Sequence, residues 1–101
     1  MNDLTYYTVP LDHPAFAGHF PGTPILPGVV LLDMALQAIT HAYGSMFKGL
    51  TIKSVKFLSP AQPGDELTIA HKQQDNGTIL FDISTATRKI ASGSIMIDLS
   101  I

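Results

Sequence analysis

Gly28-Val29-Val30-Leu31-Leu32-Asp33-Met34-Ala35-Leu36-Gln37-Ala38-Ile39-Thr40-His41-Ala42-Tyr43-Gly44 decides the fold. No proline interrupts the chain between Pro27 and Pro60. The apolar run that opens this stretch outlasts an ordinary strand, so the pattern predicts one helix from Pro27 or Gly28 to Met46. Gly44 and Gly49 mark its exit, and Lys48 suits the negative C-terminal end of the helix dipole. The polar residues Asp33, Gln37, Thr40 and His41 share one helix face at i, i+4, i+7, i+8. A helix that is apolar elsewhere is expected to be buried on most sides, by a sheet curling around it and by a second subunit.

Outward from the helix, Leu4 to Val9 reads as a short strand. Prolines at 10, 14, 21, 24 and 27 then forbid a long helix or a central strand, leaving an ordered loop. After the helix, Thr51 to Leu58 is β-branched and aromatic, and Ser59 to Asp65 is a turn cluster. Glu66 to Lys72 alternates with Leu67, Ile69 and His71 on one face, and Asp75-Asn76-Gly77 suits a tight hairpin into Thr78 to Thr87. Arg88-Lys89 makes the next reversal. Ala91, Gly93, Ile95, Ile97 and Leu99 then share one face of a last strand. The expected class is α+β, a single domain over 1–101 in which an antiparallel meander of about four strands, plus the short first strand, wraps one long central helix.

At 101 residues the chain is too short for a separate cofactor-binding lobe. With 46% hydrophobic and only 14% charged residues it is poor in charge for a solvated monomer, which points to a covered surface. A net charge of -2 without a basic run gives no footprint for nucleic acid. There is no cysteine, hence no disulfide scaffold and no thiolate nucleophile. No apolar stretch is long enough for a membrane span, and the start lacks a secretion signal, so a cytoplasmic protein is the expectation. No His-x-x-x-His pair is placed for a metal, and neither metal nor cofactor is expected.

Three positions attract chemistry. His19 sits among glycines and prolines in Gly18-His19-Phe20-Pro21-Gly22-Thr23-Pro24-Ile25-Leu26-Pro27-Gly28, a stretch with little backbone freedom, which suits an aimed general base. A lone loop histidine more often simply packs on a neighbour such as Phe20. Asp33 lies among Leu31, Leu32, Met34 and Leu36, where a carboxylate must be hydrogen-bonded, paired or kept protonated. Gln37, one turn on, is placed to donate to it, for function or merely to satisfy it. Gly28, at the helix start, offers a backbone N–H to a carbonyl or oxyanion, or is a plain helix-start glycine. A base, an acid and an amide donor describe proton abstraction beside a polarised carbonyl, and no Gly-x-Ser-x-Gly elbow is present for acyl transfer.

Gly18-His19-Phe20-Pro21-Gly22-x-Pro24-x-x-Pro27-Gly28-Val29, followed by Leu31-Leu32-Asp33-x-x-x-Gln37, Val55-Lys56-Phe57-Leu58-Ser59-Pro60 and Pro63-Gly64-Asp65, resembles the 3-hydroxyacyl-acyl-carrier-protein dehydratases of hot-dog fold. The likeness runs from about Pro14 onward. It implies that His19 takes the C2 proton of a 3-hydroxyacyl thioester, that the amide at Gly28, beside Val29, steadies the enolate-like oxygen, and that Asp33 of a partner protomer helps the 3-hydroxyl leave. Gln37 matches the glutamine that holds the acid. The resemblance also implies a non-prolyl cis peptide at His19-Phe20, and an acyl tunnel involving Phe16, Phe20 and Leu36.

Two departures stand out. The acid is Asp, as in the members that also isomerise the double bond, and the N-terminal helix and first long strand of the standard enzyme have no counterpart, as in the compact dehydratases of aryl polyene clusters. The partners implied are an acyl carrier protein, with Lys48, Lys53, Lys56, Arg88 and Lys89 as candidate docking cations, and a second copy in a homodimer or higher oligomer. The alternatives are a hot-dog thioesterase, which has no use for the His-Phe-Pro-Gly loop, and a non-catalytic partner subunit of a dehydratase heterodimer, against which the intact His19 and Asp33 argue.

Overall fold

The computed structural model describes residues 2–14, 25–44 and 47–99. Its elements are β1 (Asn2–Thr8), α1 (Gly28–Tyr43), β2 (Phe47–Phe57), β3 (Glu66–Gln73), β4 (Thr78–Ser84) and β5 (Lys89–Leu99). All strand pairs are antiparallel, and the sheet order is β1-β3-β4-β5-β2. One helix against one five-stranded antiparallel sheet is the α+β, hot-dog architecture expected.

The period-2 patterns place the core. Leu67, Ile69 and His71 of β3 and Ile79, Phe81 and Ile83 of β4 are buried, with Ala91, Ile95 and Ile97 of β5. Against them α1 sets Leu31, Ala35 and Ile39, one residue per turn on a single stripe. Burying each large aliphatic among these contributes roughly 1.5–3 kcal/mol. The helix touches β2, β3 and β4. Because β2 and β3 are three strand positions apart, a helix about 10 Å wide reaches both only if the sheet curves around it.

Several expectations need correction. The helix stops at Tyr43, not Met46, because Gly44 takes φ 57 and its N–H turns back to the Thr40 carbonyl. Gly49 and Lys48 therefore belong to β2, not to a helix exit. The meander is three strands long, β3-β4-β5. The helix carries the chain across the sheet, so β2 pairs with β5 at the far edge, Phe57 opposite Ala91. The hairpin at Asp75-Asn76-Gly77 is wider than a two-residue turn. Gly77 donates to the Gln74 carbonyl at 3.0 Å and takes φ 87, while the Gln74 N–H reaches Thr78 O at 2.7 Å, a turn followed by a left-handed glycine. β4 ends at Ser84, and the reversal lies at Thr85–Arg88, where the Thr85 hydroxyl accepts from the amides of Thr87 and Arg88.

The helix is also less covered in the single chain than its sequence suggests. Only Leu31, Ala35 and Ile39 are buried, Val29 is 71% exposed, and Asp33, Gln37 and His41 face outward.

Candidate active site

Pro27 precedes the helix in an extended conformation, φ −59 and ψ 146, and its carbonyl accepts from Val30 N at 3.0 Å and Leu31 N at 3.4 Å. The amides of Gly28 and Val29, the first two helical residues, then have no acceptor inside the helix, and they stand at the positive end of its dipole. Gly28 lets the Phe57 ring lie close over the helix start: a Cβ there would meet Phe57 Cζ at 2.8 Å and push the ring aside. Leu26, Gly28, Leu31, Phe57, Leu58 and Pro60 line a largely apolar groove of about 350 Å³. Two segments of the resemblance, 27–29 and 55–60, thus form one cleft, with amide donors at its edge. Val29 is not among the residues that line this groove, and its side chain is exposed.

On the outer side of α1, Gln37 Nε2 donates to Asp33 Oδ2 at 2.7 Å, the i, i+4 contact that the spacing offers. Asp33 is not sunk in apolar surroundings as expected. Leu31 points into the core and Leu32, Met34 and Leu36 pack at its margin, while the helical turn carries the carboxylate to the open face. Five residues of helix set Asp33 about 7.5 Å along the axis and roughly 140° around it from Gly28. One chain therefore does not bring the acid and the helix-start donor to the same side.

His19 and Phe20, with Phe16 and the His19-Phe20 peptide, lie outside the described residues. The described flanks of that segment are both tied to the 61–65 turn. Val9 N donates to Asp65 O at 2.9 Å, Gly64 N to Val9 O at 2.8 Å, and Leu26 N to Ala61 O at 2.8 Å. Asp65 is itself held by the Gln62 amide and by Arg88 Nη2, which also donates to Pro60 O. Leu36 is half-buried against the core. Of the other candidate docking cations, Lys53 donates to Thr78 Oγ1 at 3.3 Å, Lys89 stands 3.9 Å from Asp82, and Lys48 and Lys56 are exposed.

A second polar cluster escaped sequence reasoning. His71 is 95% buried, its Nδ1 3.9 Å from Asp3 Oδ2, and Tyr43 at the end of α1 donates to Gln73 Oε1 at 3.0 Å. Burial pushes the His71 pKa below its usual value, with the Asp3 carboxylate opposing, and burial together with Asp3 pushes Tyr43 up. Alternation already puts His71 on the inner face. Asp3 joins it only through the pairing of β1 with β3, which no local pattern reveals. Among the described residues no three His, Asp or Glu side chains gather to hold a metal, and no helix is long and apolar enough to cross a membrane.

Comparison with known proteins bears on the chemistry. Residues 3–94 match the ApeI-like family model, described as ApeI dehydratase. The 3-hydroxyacyl-[acyl-carrier-protein] dehydratase FabZ of Chlamydia trachomatis serovar L2 is 40% identical over 70 residues, 60% of this chain. The aligned part spans 46% of that enzyme's length, less than two thirds of it. Among solved structures, the dehydratase heterocomplex ApeI:P from Xenorhabdus doucetiae superposes with a TM-score of 0.79 at 26% identity, covering 96% of this chain and 87% of that one. The fluoroacetyl-CoA thioesterase FlK superposes at 0.71 over 99% of this chain and 86% of its own, and at 14% identity it shares the fold alone.

Proposed function

The chain belongs to the ApeI-like dehydratase family, and from that premise we propose that it dehydrates a 3-hydroxyacyl thioester carried on an acyl carrier protein to the trans-2-enoyl thioester, in fatty acid or polyene-type lipid synthesis. His19 accepts the C2 proton, the amide at Gly28 beside Val29 holds the carbonyl oxygen as negative charge gathers on it, and Asp33 delivers a proton to the 3-hydroxyl, which leaves as water. Gln37 keeps the Asp33 carboxyl in one orientation. No cofactor enters the balance.

The observation that carries this reading is the placement of Asp33. A carboxyl on the open side of α1, braced by Gln37 and turned away from its own Gly28, suits a site whose amide donor and histidine come from another protomer. A homodimer then holds two equivalent sites, each with Asp33 from one copy and His19 and Gly28 from the other. The low charge content and the exposed Val29 and Phe57 agree with a covered face.

The test is complementation. His19→Ala and Asp33→Asn proteins are each expected to lose at least a hundredfold in turnover of 3-hydroxyacyl carrier-protein thioesters. Unfolding and refolding them together at equal concentration is expected to restore about a quarter of wild-type activity, because half of the dimers are mixed and each mixed dimer has one intact site. Normal turnover by either variant alone, or no recovery in mixtures shown to contain mixed dimers, overturns the assignment.

A second reading is favoured by one finding, the likeness to a dehydratase heterocomplex. Here the chain pairs with a different dehydratase-like subunit and its own Asp33 or His19 serves the shared site. Water loss catalysed by the purified chain alone decides against it.

A further inference from the structure

Arg88 closes the turn between β4 and β5, its N–H donating to the Thr85 hydroxyl at 3.2 Å and its carbonyl accepting from Thr85 N at 2.9 Å. From there its guanidinium crosses to a different part of the chain. One nitrogen, Nη2, donates both to the Asp65 carboxylate and, at 3.2 Å, to the Pro60 carbonyl. The side chain is 35% exposed against 70% for its neighbour Lys89, so much of its charge is turned inward. Pro60 walls the groove at the helix start, which Leu58, Ser59 and Pro60 line together with Leu26 and Gly28. The Ala61 carbonyl, on the next peptide, accepts from Leu26 N at 2.8 Å, two residues before the Gly28 amide, while Leu58 N and Ser59 N donate to Ile90 O at 2.9 and 3.3 Å. Main-chain bonds thus hold the wall at Leu58, Ser59 and Ala61, and the Arg88 side chain holds it at Pro60.

We propose that Arg88 is a positioning residue for the reaction: by tying the Pro60 peptide to Asp65 it fixes, through Ala61 and Leu26, where the helix-start amides point, and it is not a docking cation for a carrier protein. The inference rests on the dehydratase reading, because it takes the Gly28 amide to face the thioester carbonyl oxygen. An amide aimed at an oxygen on which charge gathers holds the transition state more tightly than the bound substrate. A small shift of that amide therefore lowers kcat and leaves KM nearly as it was. A guanidinium suits the task better than an ammonium, since the two hydrogens of one planar nitrogen reach two acceptors at fixed angles. A docking cation would act otherwise, on the encounter with a carrier protein, and would do nothing for a substrate without one.

The test compares Arg88→Met, Arg88→Lys and Asp65→Asn with wild type on two substrates, a 3-hydroxyacyl carrier-protein thioester and the same acyl group on pantetheine. Arg88→Met is expected to lower kcat roughly tenfold or more on both, with KM within about twofold. Asp65→Asn leaves the cation in place but unanchored and is expected to lower kcat by a similar factor, whereas Arg88→Lys loses less. Combining Arg88→Met with Asp65→Asn should cost little beyond either alone. Hydrogen exchange at the Leu26 amide is followed in the same proteins, because its bond to Ala61 reports the link without any turnover. It should quicken about tenfold in Arg88→Met, while exchange at the buried Ile95 stays as in wild type. A merely stabilising ion pair would quicken both together and leave kcat of the folded protein unchanged, which overturns the proposal. So does a loss confined to the carrier-bound substrate, or wild-type exchange at Leu26. If wild type turns over neither substrate and Leu26 still quickens in Arg88→Met, the dehydratase chemistry fails and the Arg88 link stands; full turnover by Arg88→Met sinks the link and leaves the chemistry.

Discussion

Phe81 covers Gly93, its register partner across β4 and β5, so closely that a Cβ at Gly93 would stand 2.6 Å from Phe81 Cζ and 2.5 Å from the Ser54 carbonyl oxygen. Phe81 is buried and the Ser54 oxygen is main chain, so neither has room to retreat. Gly93→Ala is expected to destabilise the fold by about 3 kcal/mol through overpacking, read as a drop in the urea midpoint with an unchanged slope. A midpoint within error of wild type would show that the sheet yields here.

Gly28 lies under Phe57 in a similar way, with the opposite consequence for stability. The near atom, Cζ at 2.8 Å, is the tip of a ring whose residue is 54% exposed, so it can swing aside. Gly28→Ala is expected to change stability by less than about 1 kcal/mol. It should lower dehydration turnover roughly tenfold or more, by displacing the ring that walls the groove at the amide donors. Gly28→Ala combined with Phe57→Leu should recover part of that loss. A single variant with full turnover would argue that the groove plays no part in binding.

Gln37→Leu removes a bond between two exposed side chains, worth at most about 0.5 kcal/mol to the helix. If the bond orients the acid, kcat should fall roughly tenfold to a hundredfold while the thermal midpoint stays within a degree or two. Equal losses of kcat and of folded protein would reduce Gln37 to a structural residue.

The buried His71 makes stability depend on pH. Its folded pKa is lowered, chiefly by desolvation, so as the pH falls through about 6.5 the unfolded chain takes up a proton that the folded chain does not. Stability should therefore decline from pH 7 downward and stop declining, as far as this group is concerned, below the folded pKa. His71→Gln should flatten the profile between pH 7 and 5. Asp3→Asn removes the carboxylate that favours the imidazolium and should steepen the loss. Thermal midpoints across that range check both, and a profile unchanged in His71→Gln would contradict the account.

Features that depend on neighbours in sequence were legible without coordinates. The helix, the strands and the Asp33–Gln37 contact follow from spacings of two, three and four residues and from prolines and glycines that permit few conformations. The sheet order was not legible, because β2 meets β5 through residues as distant as Gly49 and Asp98. For the same reason Phe57 was not singled out as the wall over Gly28, nor Asp3 as the companion of His71. The exposure of Asp33 was misjudged because a run of apolar neighbours in sequence says nothing of which way each one turns around a helix. The motif around His19 was legible as a resemblance, through residue identities and not through any periodicity.

Val9 and Leu26, which flank the histidine-bearing segment, are both hydrogen-bonded to the 61–65 turn, and Arg88 braces that turn through Asp65 and Pro60. The segment thus leaves and rejoins the body of the protein at a common foot. Mutational damage at that seam, even at a side chain as far along the sequence as Arg88, would therefore reach Val9 and Leu26 at once.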